Sequence, residues 1–177
     1  MGFRIFVVVG MPGSGKNIAR MFAEAKSIPY LATGDFVREE VRRRGLNPTA
    51  ENTARVSTEL RGADGLGVTR LALEAIKKGR GIAFLEGMRS WPEIELIRRE
   101  AEAIVVAFLA PRGVRLQRIL SRGRADDSPP HFAERDQREI QYGTSLPIAL
   151  ADEYILNTGT MEQAFQTMDS IVKKYGK

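Results

Sequence analysis

Ile5-Phe6-Val7-Val8-Val9 runs straight into Gly10-Met11-Pro12-Gly13-Ser14-Gly15-Lys16, and this junction decides the fold. A short apolar run rich in β-branched residues, closed by a glycine turn, reads as a strand buried on both faces. Beyond the turn, Ile18, Ala19, Met21, Phe22 and Ala25 recur at helical spacing. Strand, glycine-rich turn and helix together are the setting of a phosphate loop. Gly10, Gly13 and Gly15 let the backbone curl so that successive N–H groups face an anion. The helix adds the positive end of its dipole, and Lys16 supplies a point charge for β- and γ-phosphates. A tight turn with a solvated lysine would explain the glycines but not the whole match. Nucleotide binding is therefore expected at residues 10–16. After the lysine the pattern usually carries Ser or Thr to hold Mg²⁺. Here that residue is Asn17, which offers a neutral amide oxygen on a longer arm.

At 177 residues the chain suits one domain with small mobile inserts. Its 43% apolar and 28% charged residues read as soluble and globular. Without cysteine there is no disulfide, thiolate metal site or cysteine nucleophile. The chain opens on strand residues with no signal-peptide pattern and contains no apolar run of spanning length, so a cytoplasmic location without membrane attachment is expected. The net charge is +5, and arginine supplies 20 of the 27 basic residues. The arginines are scattered, with clusters at Arg42–Arg44 and Arg118–Arg124 and little aromatic interleaving. A multiphosphate site and salt-bridged helix faces such as Glu95–Arg99 explain the excess better than a nucleic-acid partner does.

Outward from the loop, Ile28-Pro29-Tyr30-Leu31 reads as a second strand. It ends in Thr33-Gly34-Asp35, ahead of a helix beginning near Phe36 and carrying Arg38. Thr33 and Asp35 would serve equally as a cap or as polar groups facing a ligand. Gly45-Leu46-Asn47-Pro48 breaks that helix, Thr49 starts the next, and Val68 to Lys78 is amphipathic. Residues 34–62 form a helical insert. Gly81–Leu85 is a strand ending in Glu86-Gly87-Met88-Arg89, which puts a carboxylate where open α/β sheets face their ligands. Trp91-Pro92 opens a helix in which Trp91 packs. Ala103–Leu109 is the fourth strand, and Pro111 leads an arginine-rich helix. Arg122-Gly123-Arg124-Ala125-Asp126-Asp127-Ser128-Pro129-Pro130 is a polar loop. A helix from His131 to Tyr142 carries Arg135 and Arg138, with His131 a surface or capping residue. Tyr154–Leu156 is the last strand, followed by Asn157-Thr158-Gly159 and a terminal helix. The expected fold is α/β, a five-stranded parallel sheet with helices on both faces.

Taken in order, these segments resemble the adenylate-kinase-like branch of the P-loop kinases over nearly the whole chain, and are similar within it to an archaeal group of adenylate-kinase-related proteins. The resemblance implies a nucleoside monophosphate kinase-like P-loop domain over residues 1–177, with 34–62 as acceptor-binding insert and 122–130 as a short lid. It implies ATP binding by Gly10, Met11, Pro12, Gly13, Ser14, Gly15, Lys16 and Asn17, with Asn157 and Gly159 near the base. Leu31–Arg38 resembles the segment that grips the acceptor phosphate. This implies acceptor contacts from Thr33, Gly34, Asp35 and Arg38, joined by Gly87 and Arg89. Arg122, Arg124 and either Arg135 or Arg138 would close from the lid side; the spacing from the carboxylate pair favours Arg135, and Tyr142 four residues on favours Arg138. Lys16, Arg89 and these lid-side arginines form the catalytic set, because phosphoryl transfer asks for charge neutralisation more than acid–base chemistry. Arginine's planar fork grips phosphate bidentately. The resemblance breaks on the metal side. The family often has glycine then threonine after the lysine, where this chain has Asn17 and Ile18; the strand-end aspartate is Glu86; and the proline before Arg89 is missing. Glu86 and Asn17 are the candidate Mg²⁺ groups.

These features imply ATP-dependent phosphoryl transfer to a nucleoside monophosphate, AMP being the favoured acceptor. A kinase of another small acceptor, such as a coenzyme A precursor, and a nucleotide-binding regulatory protein or slow ATPase are the alternatives.

Overall fold

The computed structural model describes residues 3–79, 81–123 and 127–176. β1 (Arg4–Val9) leads through the glycine turn into α1 (Asn17–Ala25), and β2 (Tyr30–Ala32) into α2 (Thr33–Arg43). Then α3 (Ala50–Arg61) and α4 (Gly67–Lys77) return the chain to β3 (Ile82–Glu86). α5 (Trp91–Glu100), β4 (Glu102–Leu109), α6 (Arg112–Arg122), α7 (Pro129–Gln141) and α8 (Ser145–Ala149) follow. β5 (Glu153–Leu156) and α9 (Met161–Tyr175) end it. The sheet has five strands in the order β2-β3-β1-β4-β5, and every pairing is parallel.

The apolar run of β1 is unbroken because both of its faces are buried. Ile5, Val7 and Val9 pack with Leu85 and Val105 against Leu73 and Ile76 of α4 and Ile94 and Ile97 of α5. Phe6 and Val8 pack with Phe84, Val106 and Phe108 against Phe22 of α1 and Met168 and Ile171 of α9. Val37, Val41, Val56 and Val68 form a separate small core that joins α2 and α3 to α4. The helical insert thus has its own apolar anchor beside the sheet. Among the described residues no helix is long and apolar enough to cross a membrane.

Several boundaries move from their sequence-based positions. Ser27 sits in the left-handed region at φ 53°, and Pro29 has no N–H, so β2 starts at Tyr30, two residues later than expected. α2 begins at Thr33 instead of near Phe36. The Thr33 hydroxyl does not cap it but donates to the Gly87 carbonyl at 3.3 Å. Pro129 and Pro130, read as loop, fill the first turn of α7, where a missing N–H costs nothing, and Ser128 caps that helix. Arg122 closes α6 and Pro129 opens α7, so both ends of the loop expected over 122–130 are helical. Arg124 and Asp126 lie outside the described residues. The short α8 was not expected, since five residues show no period and Pro147 reads as a breaker. Among the described residues Glu95 and Arg99 form no ion pair; Arg98 instead binds Asp152 of the neighbouring segment at 2.9 Å.

Candidate active site

The register Val8↔Glu86 brings the carboxyl end of β3 level with the start of the glycine turn. Gly13 and Gly15 take φ values of 78° and 96°, in the left-handed region that favours glycine. Side chains there would also strike neighbours: a Cβ on Gly13 would lie 2.7 Å from the Arg115 carbonyl, and one on Gly15 would collide with the Asn157 amide. The loop is clamped from outside. Asn157 Nδ2 donates to the Ser14 carbonyl at 2.9 Å, and Arg118 Nη2 to the Asn157 carbonyl at 2.8 Å. Arg115 Nη1 donates to the Pro12 carbonyl at 2.9 Å, while the same guanidinium grips Asp136 with two bonds of 2.6 and 2.7 Å.

This bracing leaves the inner side of the loop rich in unused donors. Among the described residues, the N–H groups of Gly13, Gly15, Lys16 and Asn17 donate to no protein acceptor. The buried Ser14 Oγ likewise has no hydrogen-bond partner. Lys16 Nζ folds across the turn to the Gly10 carbonyl at 2.7 Å and the Met11 carbonyl at 3.4 Å. Burial pushes its pKa down, against the opposing pull of Glu86 and Glu139. Orphan amides, a helix N-terminus and a desolvated cation together make a strong oxyanion receptor. Replacing Gly15 with alanine is expected to displace Asn157 and weaken the ATP-induced rise in melting temperature, which differential scanning fluorimetry would read.

Opposite the loop, Arg20, Arg38, Arg61 and Arg89 line a cavity of about 240 Å³ together with Thr33, Gly34, Glu86 and Gly87. It opens beside a larger hollow of about 580 Å³ that shares Arg38, Arg61 and Arg89 and adds Arg135 and Arg138. Arg89 reaches Glu139 at 3.3 Å and lies over the Tyr142 ring at 5.0 Å. Partial burial pushes the Asp35 carboxyl up, but bonds from Arg38 and Arg20 outweigh it and hold the group below the usual carboxylate range. Both contenders for the lid-side arginine thus face the same space. Arg135 and Arg122 bind Asp127 at 3.1 and 2.6 Å. Arg138 forms no ion pair among the described residues.

Glu86 lines the acceptor-side cavity, a central one of about 180 Å³ with Lys16 and Glu139, and a donor-side one of about 370 Å³ with Gly13, Gly15, Lys16 and Asn17. The donor-side cavity also includes Arg118 and Arg122. Glu86 Oε2 accepts from Tyr30 at 2.8 Å, and Oε1 accepts no hydrogen bond from the described residues. Among the described residues no group of three or more acidic, histidine or cysteine side chains is arranged so that it could hold a metal ion. One carboxylate with an uncommitted oxygen and an exposed amide at Asn17 suit Mg²⁺, which keeps several waters and takes its remaining ligands from phosphates. Gly159 lies on the exposed turn before α9 and is not among the residues that line these cavities.

Arg20, Arg61, Arg115, Asp136, Glu93 and Glu139 line or support the site without being expected there from the sequence. Only Glu93 left a local signal, the Ser90-x-x-Glu93 capping box. Its buried carboxylate accepts from Arg89 N, Ser90 N and Ser90 Oγ at 2.9 to 3.0 Å, which shapes the backbone that presents Arg89. The Arg42–Arg44 cluster is neutralised within the insert. Arg42 pairs with Glu39, Arg43 with Glu40, and Arg44 with Glu40 and Glu59. Hydrogen bonds from Arg43 and then Arg44 hold the Glu40 carboxyl at about 2.

The parallel sheet with a phosphate loop at its central strand is a P-loop kinase fold. Solved structures agree. TT1252 from Thermus thermophilus matches with a TM-score of 0.72 at 16% identity, covering 98% of each chain. Shikimate kinase from Acinetobacter baumannii gives 0.59 at 16% identity, over 97% of this chain and 93% of that one. A gluconokinase from Sinorhizobium meliloti gives 0.61 at 14%, over 98% and 95%. The family model described as an AAA domain, AAA_17, matches residues 9–133. The chain belongs to that family and to the UPF0200 proteins. It is 37% identical to the UPF0200 protein of Thermococcus kodakarensis, over 96% of this chain and 99% of that one. The Pyrococcus horikoshii relative is 35% identical, over 96% of each.

Proposed function

We propose that this protein is an ATP-dependent kinase whose acceptor is a nucleoside monophosphate, with AMP the first candidate. The observation that carries the reading is the place of Glu86. The donor-side cavity over the phosphate loop and the arginine-lined cavity opposite it meet at this one carboxylate. Cavities that meet in this way support direct transfer of a phosphoryl group between two anion sites.

The loop amides and Lys16 hold the ATP phosphates. Arg38 and Arg89 hold the acceptor phosphate, and Arg138, with Arg122 and Arg135, closes on the transferring group from the lid side. Arg124, the further lid-side arginine, would join them. Glu86 with Asn17 would hold Mg²⁺, which would supply charge neutralisation for the phosphates. Thr33, Gly34, Asp35 and Gly87 shape the acceptor wall. Closure of the 34–62 insert and the lid loop would exclude water, the competing acceptor.

Arg89→Ala and Arg38→Ala are expected to raise KM for the acceptor about tenfold or more while leaving the ATP KM nearly unchanged, since each removes a charge-assisted bond worth roughly 1.5–3 kcal/mol. Steady-state assays varying each substrate check this, and equal losses for both substrates would reverse the assignment of the two cavities. The named activities of the shikimate kinase and gluconokinase neighbours favour a second reading, transfer to another small hydroxyl-bearing acceptor. Asn17, with no hydroxyl after the loop lysine, favours a third, a slow ATPase or nucleotide-binding regulator. A substrate screen separates them by whether AMP, another acceptor or no acceptor stimulates ADP formation.

A further inference from the structure

Tyr30 lies far from Glu86 in sequence but on the adjacent strand. The register Tyr30↔Phe84 and Ala32↔Glu86 puts the tyrosine ring and the carboxylate on one face of the sheet, a single pleat apart. The ring is held by two neighbours. It stacks on Phe84 at 6.1 Å between centroids, and the Arg20 guanidinium covers it at 4.7 Å. A side chain held so firmly can aim its hydroxyl at one point. That point is Glu86 Oε2, at 2.8 Å. A phenol is protonated at neutral pH, so the Tyr30 hydroxyl donates this bond and the carboxylate accepts it.

Glutamate at this position is a longer and looser arm than aspartate would be, and an unrestrained carboxylate could swing among the three cavities it borders. We propose that Tyr30 is a positioning residue that pins Glu86 by Oε2 and so reserves Oε1 for the metal side of the phosphate site. Hydrogen-bonded partners of this kind orient metal-ligating carboxylates and set their affinity. Arg20 then has two tasks. It clamps the Tyr30 ring, and it reaches Asp35 in the first turn of α2 at 3.4 Å, linking the acceptor wall to the carboxylate. This inference rests on the reading of Glu86 as a metal group.

The test uses the full chain with saturating ADP and measures the Mn²⁺ concentration needed for half of the metal-dependent thermal shift, with free Mn²⁺ followed by electron paramagnetic resonance. Tyr30→Phe keeps the ring and the stack and removes only the hydroxyl. It is expected to raise the Mn²⁺ requirement about tenfold while metal-free ADP affinity stays the same, and Glu86→Gln should raise it at least as far. A purely structural tyrosine would lower the melting temperature of the apo chain and leave the Mn²⁺ requirement unmoved. An unchanged requirement in Tyr30→Phe alongside a raised one in Glu86→Gln overturns the role of Tyr30 alone. An unchanged requirement in Glu86→Gln, or no Mn²⁺ response in the unaltered chain, overturns the metal reading of Glu86 with it.

Discussion

Lys16→Ala is expected to abolish ATP-induced thermal stabilisation and to lower turnover by about 10³-fold, the scale set by removing one preorganised group aimed at transition-state charge. The reason is visible in the loop itself. Lys16 Nζ is desolvated, held by the Gly10 and Met11 carbonyls, and its pKa is pushed down by burial. A cation in that setting gains more from an incoming phosphate than a solvated one does, because its desolvation has already been met in the fold. Saturating ATP at about 100 times its dissociation constant stabilises a protein by roughly 2.7 kcal/mol, so its loss is easily read by scanning fluorimetry. Lys16→Arg should recover little, because a planar guanidinium cannot follow the ammonium into the turn. Full ATP stabilisation in Lys16→Ala would show that nucleotide binds elsewhere.

The largest effect on the fold is expected from Asp136→Ala. Asp136 on α7 is the bidentate partner of the buried Arg115 on α6, and removing it strands a guanidinium with little access to water. Breaking such a pair on one side typically costs about 3–5 kcal/mol. Arg115 also holds the Pro12 carbonyl, so the stranded side chain no longer braces the phosphate loop, and ATP affinity should fall with stability. Replacing both partners with apolar residues, Arg115→Met with Asp136→Leu, should recover most of the stability but not the ATP affinity. Urea denaturation and nucleotide titration read the two separately. Equal recovery of both would mean that the Pro12 contact does not shape the loop.

The phosphate loop was legible because its determinants are local. Five apolar residues buried on both faces and three glycines at fixed spacing leave little choice of structure. The strand-end Glu86 was legible for the same reason, as the last residue of an apolar run. What escaped was nonlocal. Arg115 and Asp136 read as two charges on separate helices, and nothing in either helix says that they meet beneath Pro12. Tyr30 looked like one more strand aromatic, and its bond to Glu86 exists only once β2 lies beside β3. Arg61, at the end of α3, gives no signal until the insert folds back over the acceptor cavity. Asn157 was expected near the base of the nucleotide. Its amide also donates to the Ser14 carbonyl, a tie to the loop that appears only once β5 lies beside β4. The proline pair at 129–130 misled because the residue that turns it into a helix start is the capping Ser128.

If two anion sites meet at Glu86 and exchange a phosphoryl group, as proposed, both nucleotides must bind this chain. The most direct test incubates the purified chain with ATP·Mg²⁺, with AMP, and with both, and records thermal shift and nucleotide products side by side. Each ligand alone is expected to stabilise the chain, and ADP is expected to accumulate from both substrates at two per ATP consumed when they are combined. Stabilisation by ATP alone, with no response to AMP in either measurement, would contradict the proposed exchange.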